Sequence, residues 1–276
     1  MYKIKMKIIN GCLNILTGMI VLASLFPLYW LISTSMKSKA EAFAMPPKWL
    51  FTPDFSNYSG LLGNPSFLES LKNSLVISAS ATIFAVVLGV MAGYALARNN
   101  SRSGNAMGIG IILARMIPPM GIIIPFYMIF NYLSLTDRYV SVILIYLTTV
   151  LPFVTWLMMG FFQGVPAEIE EAALIDGCNR IGTFLRICLP VVKPGIATCA
   201  MFAFMMSWNE YFYAVIMTGN ATKTAPIYIQ SFVSSSGTNW GALCAASVLV
   251  VLPILVFTIF CQRSLVRGLM GGAVKG

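Results

Sequence analysis

Long apolar runs alternate with short polar segments along most of the 276-residue chain. A helix needs about 20 apolar residues to cross a bilayer, and the sequence contains six runs of roughly this length or longer. They are Ile8–Ser33, Ser74–Leu96, Ala106–Tyr132, Val140–Phe162, Ile196–Met217 and Ala242–Phe260. The pattern therefore predicts an all-α polytopic membrane protein with six transmembrane helices.

Prolines interrupt several of these runs, and the third run contains three of them within eight residues. Pro118, Pro119 and Pro125 each lack the amide hydrogen that an interior helical residue donates, so each can kink or break a helix. Membranes tolerate such breaks where neighbouring helices or a water-filled cavity satisfy the freed carbonyls. We expect the third span to line a path or to flex, although proline is also common in ordinary membrane helices.

The second run carries small residues near one end, including Gly89 and Gly93 in a G-x-x-x-G pattern. Glycine at this spacing lets a neighbouring helix approach closely, because no side chain separates the two backbones. The pattern indicates helix packing and says little about a substrate.

Lysine and arginine are distributed unevenly over the polar segments. If the N-terminus lies inside, the inner segments carry eleven of the 18 basic residues, the outer segments carry six and the third span carries one. Because basic residues accumulate in cytoplasmic loops, both termini are predicted to be cytoplasmic. All six cysteines then lie in spans or on the reducing side, and no disulfide is expected.

Two outer segments differ in character. Thr34–Asn73 holds four prolines with aromatic residues between them, a composition that favours an ordered surface cap. Thr218–Gly241 is rich in Thr, Ser and Asn and has few charges, which suits a loop that reaches toward an external partner.

The composition fits a chain that is solvated mostly by lipid. Hydrophobic residues make up 58% and charged residues 10%, whereas soluble domains carry about 25% charged residues. The net charge of +9 reflects basic loops and does not indicate nucleic-acid binding. The chain has no histidine, the commonest general base and metal ligand. No catalytic, cofactor-binding or metal site is predicted, and a membrane-embedded enzyme is disfavoured.

Two ionisable residues fall inside the predicted spans, Arg115 in the third and Glu210 in the fifth. Each costs about 2.5 kcal/mol or more at the bilayer centre unless it faces a cavity or a partner. We predict a translocation path or gate formed by Arg115 and the run Trp208-Asn209-Glu210-Tyr211. The alternatives are an interhelical hydrogen bond for Glu210 and a snorkelling side chain for Arg115. A proton relay is disfavoured because the spans hold no further carboxylate.

Glu171–Gly195 is the longest polar interruption of the membrane pattern. Pro166 suits the first turn of a helix, and the acidic residues after it favour the positive end of the helix dipole. Gly177 can close this helix in a left-handed conformation. A second short helix is expected over Asn179–Ile187, stopped by Leu189-Pro190. These features predict a helical elbow, defined here as residues 166–187, that lies at the membrane surface and faces the cytoplasm.

The spacing in this segment resembles a known motif, which here consists of Glu171-Ala172-Ala173, three residues, Gly177, nine residues, Ile187, one residue and Leu189-Pro190. It is similar, without a gap, to the EAA motif of binding-protein-dependent ABC importer permeases. The runs at residues 161–177, 208–211 and 268–276 are similar to the same family. The chain resembles the six-helix permease subunit of carbohydrate importers, in particular the smaller permease of the maltose type.

This resemblance implies a type I ABC importer permease fold in a bacterial or archaeal cytoplasmic membrane. It implies that the EAA helix docks on a separate ATPase. The coupling residues would be Glu171, Ala172, Ala173, Asp176, Gly177, Arg180, Ile187, Leu189 and Pro190. The sequence contains no phosphate-loop motif, so the ATPase would bind ATP and Mg and this chain would bind no cofactor.

The implied partners are two copies of the ABC ATPase, a homologous second permease subunit and an extracytoplasmic solute-binding protein. The chain would form half of the pore for a mono- or oligosaccharide or a related polyol, and would not be an enzyme. The alternative is an ion-coupled secondary carrier, which would need an inverted repeat and several membrane carboxylates. The predicted domains are 1–69 (first helix and long outer loop), 70–262 (permease core with the EAA loop 163–195) and 263–276 (cytoplasmic C-terminal tail).

Overall fold

The computed structural model describes residues 2–99, 101–235 and 237–273, with side chains between residues 6 and 260 apart from 7, 8, 100, 105 and 236. The last residues of the predicted tail, 274–276, lie outside the described part of the chain. The elements are α1 (Tyr2–Ser35), α2 (Lys39–Ala42), α3 (Ser56–Leu62), α4 (Pro65–Arg98), α5 (Arg102–Ala114), α6 (Pro119–Tyr132), α7 (Tyr139–Gln163), α8 (Ala167–Ile175), α9 (Arg180–Thr183), a π-turn (Phe184–Cys188), α10 (Leu189–Trp208), α11 (Phe212–Met217), α12 (Ala225–Gln230), the antiparallel strands β1 (Val233–Ser234) and β2 (Gly237–Thr238), and α13 (Trp240–Ala273).

The described part of the chain contains five helical stretches that are long and apolar enough to cross a membrane: Ile9–Ser35, Pro65–Arg98, Tyr139–Gln163, Arg180–Trp208 and Trp240–Phe260. A bent pair, α5 with α6, is the sixth candidate when it is taken as one broken span. The first, second, fourth and sixth predicted spans are confirmed as helices. The third and fifth need correction.

The third predicted span is not one helix. α5 and α6 meet at an angle of 90° across a break at residues 115–118. Pro118 has φ −63° and ψ 139°, the extended conformation that a following proline favours. Pro119 then begins α6, where its missing amide hydrogen costs no hydrogen bond. Arg115 therefore lies at a helix end and not inside a continuous span.

The helix observed at the fifth predicted span, α10, begins and ends earlier than the predicted range Ile196–Met217. α10 ends at Trp208, and residues 209–211 separate it from α11. At the other end, Leu189 and Pro190 begin α10 and do not stop the helix before it. The Leu189 amide bonds to the Phe184 carbonyl, five residues back, so the backbone widens just before the proline. The expected stop is wrong, because the chain is helical from Arg180 to Trp208.

The chain divides into two compact units, Met1–Leu68 with Ile229–Leu252 and Glu69–Tyr228 with Pro253–Gly276. The second unit packs around two apolar clusters. One includes Val154, Met158 and Cys199 from α7 and α10. The other includes residues of α4, α6, α7 and α11. The elbow and a cavity lined by Arg115 lie in this unit.

The first unit contains the segment after α1, which local contacts hold in place. The Asn57 side-chain amide donates to the Ser35 carbonyl at 3.1 Å, and the hydroxyls of Ser35 and Tyr58 lie 2.6 Å apart. The Lys37 ammonium lies 4.8 Å from the centroid of the Trp30 ring. The segment is therefore an ordered cap, as its composition predicts.

Gly89 and Gly93 bring α4 against α7, as the G-x-x-x-G pattern predicts. A Cβ atom at Gly89 would lie 2.7 Å from Val154 Cγ1, and one at Gly93 would lie 2.9 Å from the Met159 nitrogen. Neither position has room for a side chain, so the two helices approach closely here.

Gly93→Ala is expected to lower the free energy of unfolding by about 1–3 kcal/mol, the usual cost of forcing an extra methyl group into a packed core. The matched control is Gly160→Ala on α7, because a Cβ atom there would meet nothing within 4 Å. Thermal unfolding in detergent measures both variants. Equal unfolding temperatures would contradict the packing role of Gly93.

Candidate functional site

The first helix of the elbow ends in a fixed cap. Gly177 has φ +89°, a left-handed conformation that is costly for residues with a side chain. Its amide donates to the Leu174 carbonyl at 3.1 Å, and the Cys178 amide donates to the Ala173 carbonyl at 3.0 Å, which is the Schellman arrangement. The Asn179 side chain then caps the start of α9. The predicted left-handed cap is confirmed, and the link between the two helices is fixed on both sides.

The tip of the elbow exposes polar and apolar side chains together. Five predicted coupling residues are exposed there: Glu171, Ala172, Asp176, Gly177 and Arg180. Ala173 is buried, at 8% exposure, whereas Ile175 is 85% and Ile181 is 70% exposed. Sequence reasoning missed these two isoleucines, although their positions on either side of the glycine cap were a visible signal. They give the tip an apolar surface that a partner protein could cover.

The remaining three predicted coupling residues lie away from the tip. Ile187 belongs to the π-turn, and Leu189 and Pro190 form the first turn of α10. The structure therefore divides the predicted set into a tip around Gly177 and a joint that connects the elbow to the membrane helix.

A partly buried ion pair between Arg98 and Glu170 holds the elbow to α4. Glu170 is 8% exposed, and its carboxylate accepts from Arg98 Nε at 2.7 Å and from the Tyr94 hydroxyl at 2.8 Å. The same guanidinium donates to the carbonyl oxygens of Phe162 at 3.0 Å and Val165 at 3.1 Å. One arginine thus joins the ends of α4, α7 and α8. Sequence reasoning missed the pair because its members lie 72 residues apart.

Burial acts to raise the pKa of Glu170, but hydrogen bonds from Arg98, Tyr94 and Cys188 outweigh it and hold the pKa below its ordinary value of 4.5. The carboxylate is therefore ionised at neutral pH. A carboxyl group whose pKa is lowered by folding stabilises the fold above its unfolded pKa. That stabilisation is lost as the pH falls through the folded value.

Arg115 and Glu210, the two ionisable residues of the predicted path, line one cavity of about 310 Å³. Arg115 lies at the break between α5 and α6, with its Cζ atom 4.9 Å from the centroid of the Phe153 ring. Glu210 lies at the break between α10 and α11, and its Oε1 accepts from the Tyr213 amide at 3.0 Å. Within the described residues, Arg115 and Glu210 do not form an ion pair.

The other predicted path residues do not line this cavity. Trp208 is 2% exposed and stacks on Phe204, with ring centroids 5.5 Å apart. Asn209 is exposed and donates to the Met205 carbonyl at 2.9 Å, and Tyr211 is 40% exposed. The polar residues of the cavity that sequence reasoning missed are Thr148, Thr149 and Tyr213.

A second polar cluster orders the start of the loop after α11. Asp137 accepts from the amides of Gly219 at 2.8 Å, Ala221 at 3.0 Å and Thr222 at 2.9 Å. Burial acts to raise the pKa of Asp137, but these bonds and one from the Thr222 hydroxyl lower it overall. Asn73 donates to the Ala221 carbonyl at 3.1 Å. This loop is therefore held in place where it begins.

A family described as "Binding-protein-dependent transport system inner membrane component" matches residues 85–270. The chain is 34% identical over 265 residues to the diacetylchitobiose uptake system permease protein DasC of Streptomyces coelicolor, covering 95% of this chain and 96% of that protein. It is 33% identical over 267 residues to the trehalose transport system permease protein SugB of Mycobacterium tuberculosis, covering 95% and 96%.

Among solved structures, a bacterial ABC transporter that imports the acidic polysaccharide alginate matches with a TM-score of 0.79 and 23% identity, over 92% of this chain and 96% of that chain. An alginate ABC transporter in complex with a periplasmic protein carrying an alginate pentasaccharide matches with a TM-score of 0.69 and 16% identity, over 91% and 92%. These likenesses confirm the predicted fold of an ABC importer permease.

Glu170→Gln is expected to lower the free energy of unfolding by about 1–3 kcal/mol at neutral pH, because it leaves the half-buried Arg98 charge without its partner. The matched control is Glu168→Gln, since Glu168 is exposed in the same turn of α8. Thermal unfolding in detergent measures both variants.

The difference in unfolding free energy between wild type and Glu170→Gln is expected to narrow as the pH falls below the ordinary value of 4.5 and through the lowered pKa of Glu170, because the wild-type carboxylate then also becomes protonated. A difference that is absent at neutral pH, or that stays constant on acidification, would contradict the role of this ion pair.

Proposed function

The chain belongs to the family of inner membrane components of binding-protein-dependent transport systems, and from this membership we propose that it is the permease subunit of an ATP-driven sugar importer. It is a multi-pass membrane protein. Its relatives DasC and SugB are permeases of uptake systems for diacetylchitobiose and trehalose. Relatives of this kind argue against the alternative of an ion-coupled carrier.

The proposed assembly contains a homologous second permease subunit, two copies of an ABC ATPase and an extracytoplasmic solute-binding protein. The family description names dependence on a binding protein, and the similar alginate transporter was solved with a sugar-loaded periplasmic protein. The ATPase would bind ATP and Mg, because this sequence contains no phosphate-loop motif. This chain would then form half of the pore and perform no catalysis itself.

One observation carries the proposal: the helical stretch Arg180–Trp208 is continuous and connects the elbow to the cavity. The elbow itself is fixed by the cap at Gly177 and by the ion pair between Arg98 and Glu170. Movement of the tip therefore displaces α10 and α4 together. Closure of the ATPases would move the tip and change the access to the cavity.

The tip would dock in a cleft of the ATPase. Burying a large aliphatic side chain such as Ile175 or Ile181 contributes about 1.5–3 kcal/mol, and the surrounding polar residues Glu171, Asp176 and Arg180 would supply directional contacts.

Docking on a cytoplasmic ATPase would place the elbow on the cytoplasmic side of the membrane, together with both termini. The loop held by Asp137 would then face the binding protein outside.

Gly177→Val is expected to reduce ATP-dependent uptake about tenfold, the factor that 1.4 kcal/mol represents, because a β-branched residue is strained at φ +89°. Gly177→Asn is the matched control, since asparagine accepts the left-handed conformation. Uptake of labelled sugar and ATP hydrolysis are measured on the co-purified complex in liposomes. Equal uptake by the two variants would contradict the role of the elbow.

Mild detergent extraction tests the assembly directly. The chain is expected to co-purify with a second permease and with an ATPase that contains a phosphate-loop motif. If the chain is extracted alone and takes up sugar into liposomes without ATP, the proposed function is wrong.

A further inference from the structure

We propose that the groove beside the C-terminal end of α1 binds an anionic phospholipid, with the lipid phosphate at the Lys37 ammonium and one acyl chain against α1, α2 and the start of α13. The groove has a volume of about 520 Å³, within the range of about 300–1,000 Å³ for small-molecule sites. It lies in the first compact unit, Met1–Leu68 with Ile229–Leu252, and it contains no residue of the elbow or of the cavity at Arg115.

The walls of the groove are mostly apolar rings. Phe26, Trp30 and Thr34 of α1 line it together with Trp240 at the start of α13. The three α1 residues are spaced four apart, so they share one face of the helix. At 1.5 Å per residue, this face follows the helix axis for roughly 12 Å. The groove is therefore long enough to hold part of an acyl chain.

The end of α1 marks the level of the membrane surface. The apolar span covers Ile9–Ser35, and Lys37 follows shortly after its last residue. The Trp49 ring packs on this end, with its centroid 5.5 Å from that of Trp30 and 6.3 Å from that of Tyr29. Tryptophan and tyrosine are enriched where a membrane span meets water. Lys37 therefore lies at the height of the lipid head groups, and the groove extends from there into the hydrocarbon.

Lys37 carries a buried charge. The residue is 3% exposed, and its ammonium lies 4.8 Å from the centroid of the Trp30 ring and 5.1 Å from that of the Phe51 ring. Among the described residues, no carboxylate forms an ion pair with it. A buried charge is costly unless it is paired, and ring faces supply only part of that compensation. The partner that completes the site is an anion.

The acidic residues of the same segment are engaged elsewhere. Glu41 accepts from the Ser38 hydroxyl at 3.0 Å, and its carboxylate lies 3.8 Å from the Lys48 ammonium. Asp54 accepts from a backbone amide at the start of α3 at 2.8 Å. Neither carboxylate neutralises Lys37, so the anion comes from outside this chain.

An anionic phospholipid supplies both the charge and the apolar chain. Its phosphate can accept the hydrogen bonds that the ammonium donates, and its acyl chain extends from the head group into the hydrocarbon beside the apolar rings. Basic residues near a membrane surface attract anionic lipids. A soluble anion would not use the groove, and a zwitterionic lipid would compensate the charge of Lys37 less well.

The test counts bound lipid by native mass spectrometry on the full chain, in the complex with which it co-purifies, after loosely held lipid has been washed away. The probes are dioleoyl phosphatidylglycerol, which is anionic, and dioleoyl phosphatidylcholine, which is zwitterionic. Lys37→Gln removes the charge, and Lys39→Gln is its matched control because Lys39 is exposed in the same segment. Ala42→Leu adds bulk to the groove wall, and Ala40→Leu is its matched control because Ala40 is exposed in the same helix.

Wild type is expected to bind phosphatidylglycerol about fivefold more tightly than phosphatidylcholine, the effect of one lysine at an anionic lipid surface. Lys37→Gln is expected to lose this preference, whereas Lys39→Gln keeps it. Ala42→Leu is expected to weaken binding of both lipids about fivefold or more, because the added side chain overlaps the acyl chain. Ala40→Leu is expected to match wild type.

Equal binding of the two lipids by wild type, or an unchanged preference in Lys37→Gln, would overturn the lipid site. The comparison on wild type needs no variant and stands even if Lys37→Gln does not assemble. Displacement of phosphatidylglycerol by an equal concentration of sn-glycerol 3-phosphate would overturn the proposal in favour of a site for a soluble anion. Loss of a partner subunit from Ala42→Leu, with lipid binding unchanged, would overturn it in favour of a protein segment in the groove.

Discussion

The partly buried ion pair between Arg98 and Glu170 fixes the geometry on which the elbow and α10 depend. Arg98 donates to the Phe162 carbonyl at the end of α7 and to the Val165 carbonyl just after it, and it holds the first turn of α8 through Glu170. The planar guanidinium can make these contacts simultaneously, which a lysine ammonium on a flexible stem would not do as well. The elbow is therefore part of the packed structure and not a free loop.

The rigidity of the elbow matters because α10 connects the elbow to the cavity that Glu210 lines. At 1.5 Å per residue, the 29-residue stretch Arg180–Trp208 is roughly 40 Å long and can cross a bilayer. It ends two residues before Glu210, at the wall of the cavity. The π-turn before Pro190 keeps the backbone hydrogen-bonded where a proline would otherwise break it. A displacement of the tip therefore reaches the cavity along one continuous element.

Hydrophobic pattern predicted the helices with uniformly apolar interiors, such as α7, and motif spacing predicted the cap at Gly177. Neither could locate helix ends that are stabilised by contacts with residues far away in the sequence. Pro118-Pro119 was a visible signal of irregularity, but the bend of 90° depends on how α5 and α6 pack. Leu189-Pro190 looks like a stop because a sequence window cannot register a widened turn. Arg98 and Glu170, 72 residues apart, meet only in the folded chain.

The helix breaks that prediction missed coincide with the cavity lined by Arg115 and Glu210 for a physical reason. Inside a bilayer, backbone groups are best satisfied by the helix itself, so a break persists only where something else compensates for it. At residues 115–118 and 209–211 the cavity can compensate, since it admits water or a polar ligand. The same space lowers the cost of about 2.5 kcal/mol or more that Arg115 and Glu210 would each have in lipid. The two helix breaks and the two ionisable side chains therefore depend on the same cavity. A variant that fills the cavity would leave two helix ends and two ionisable side chains without solvation.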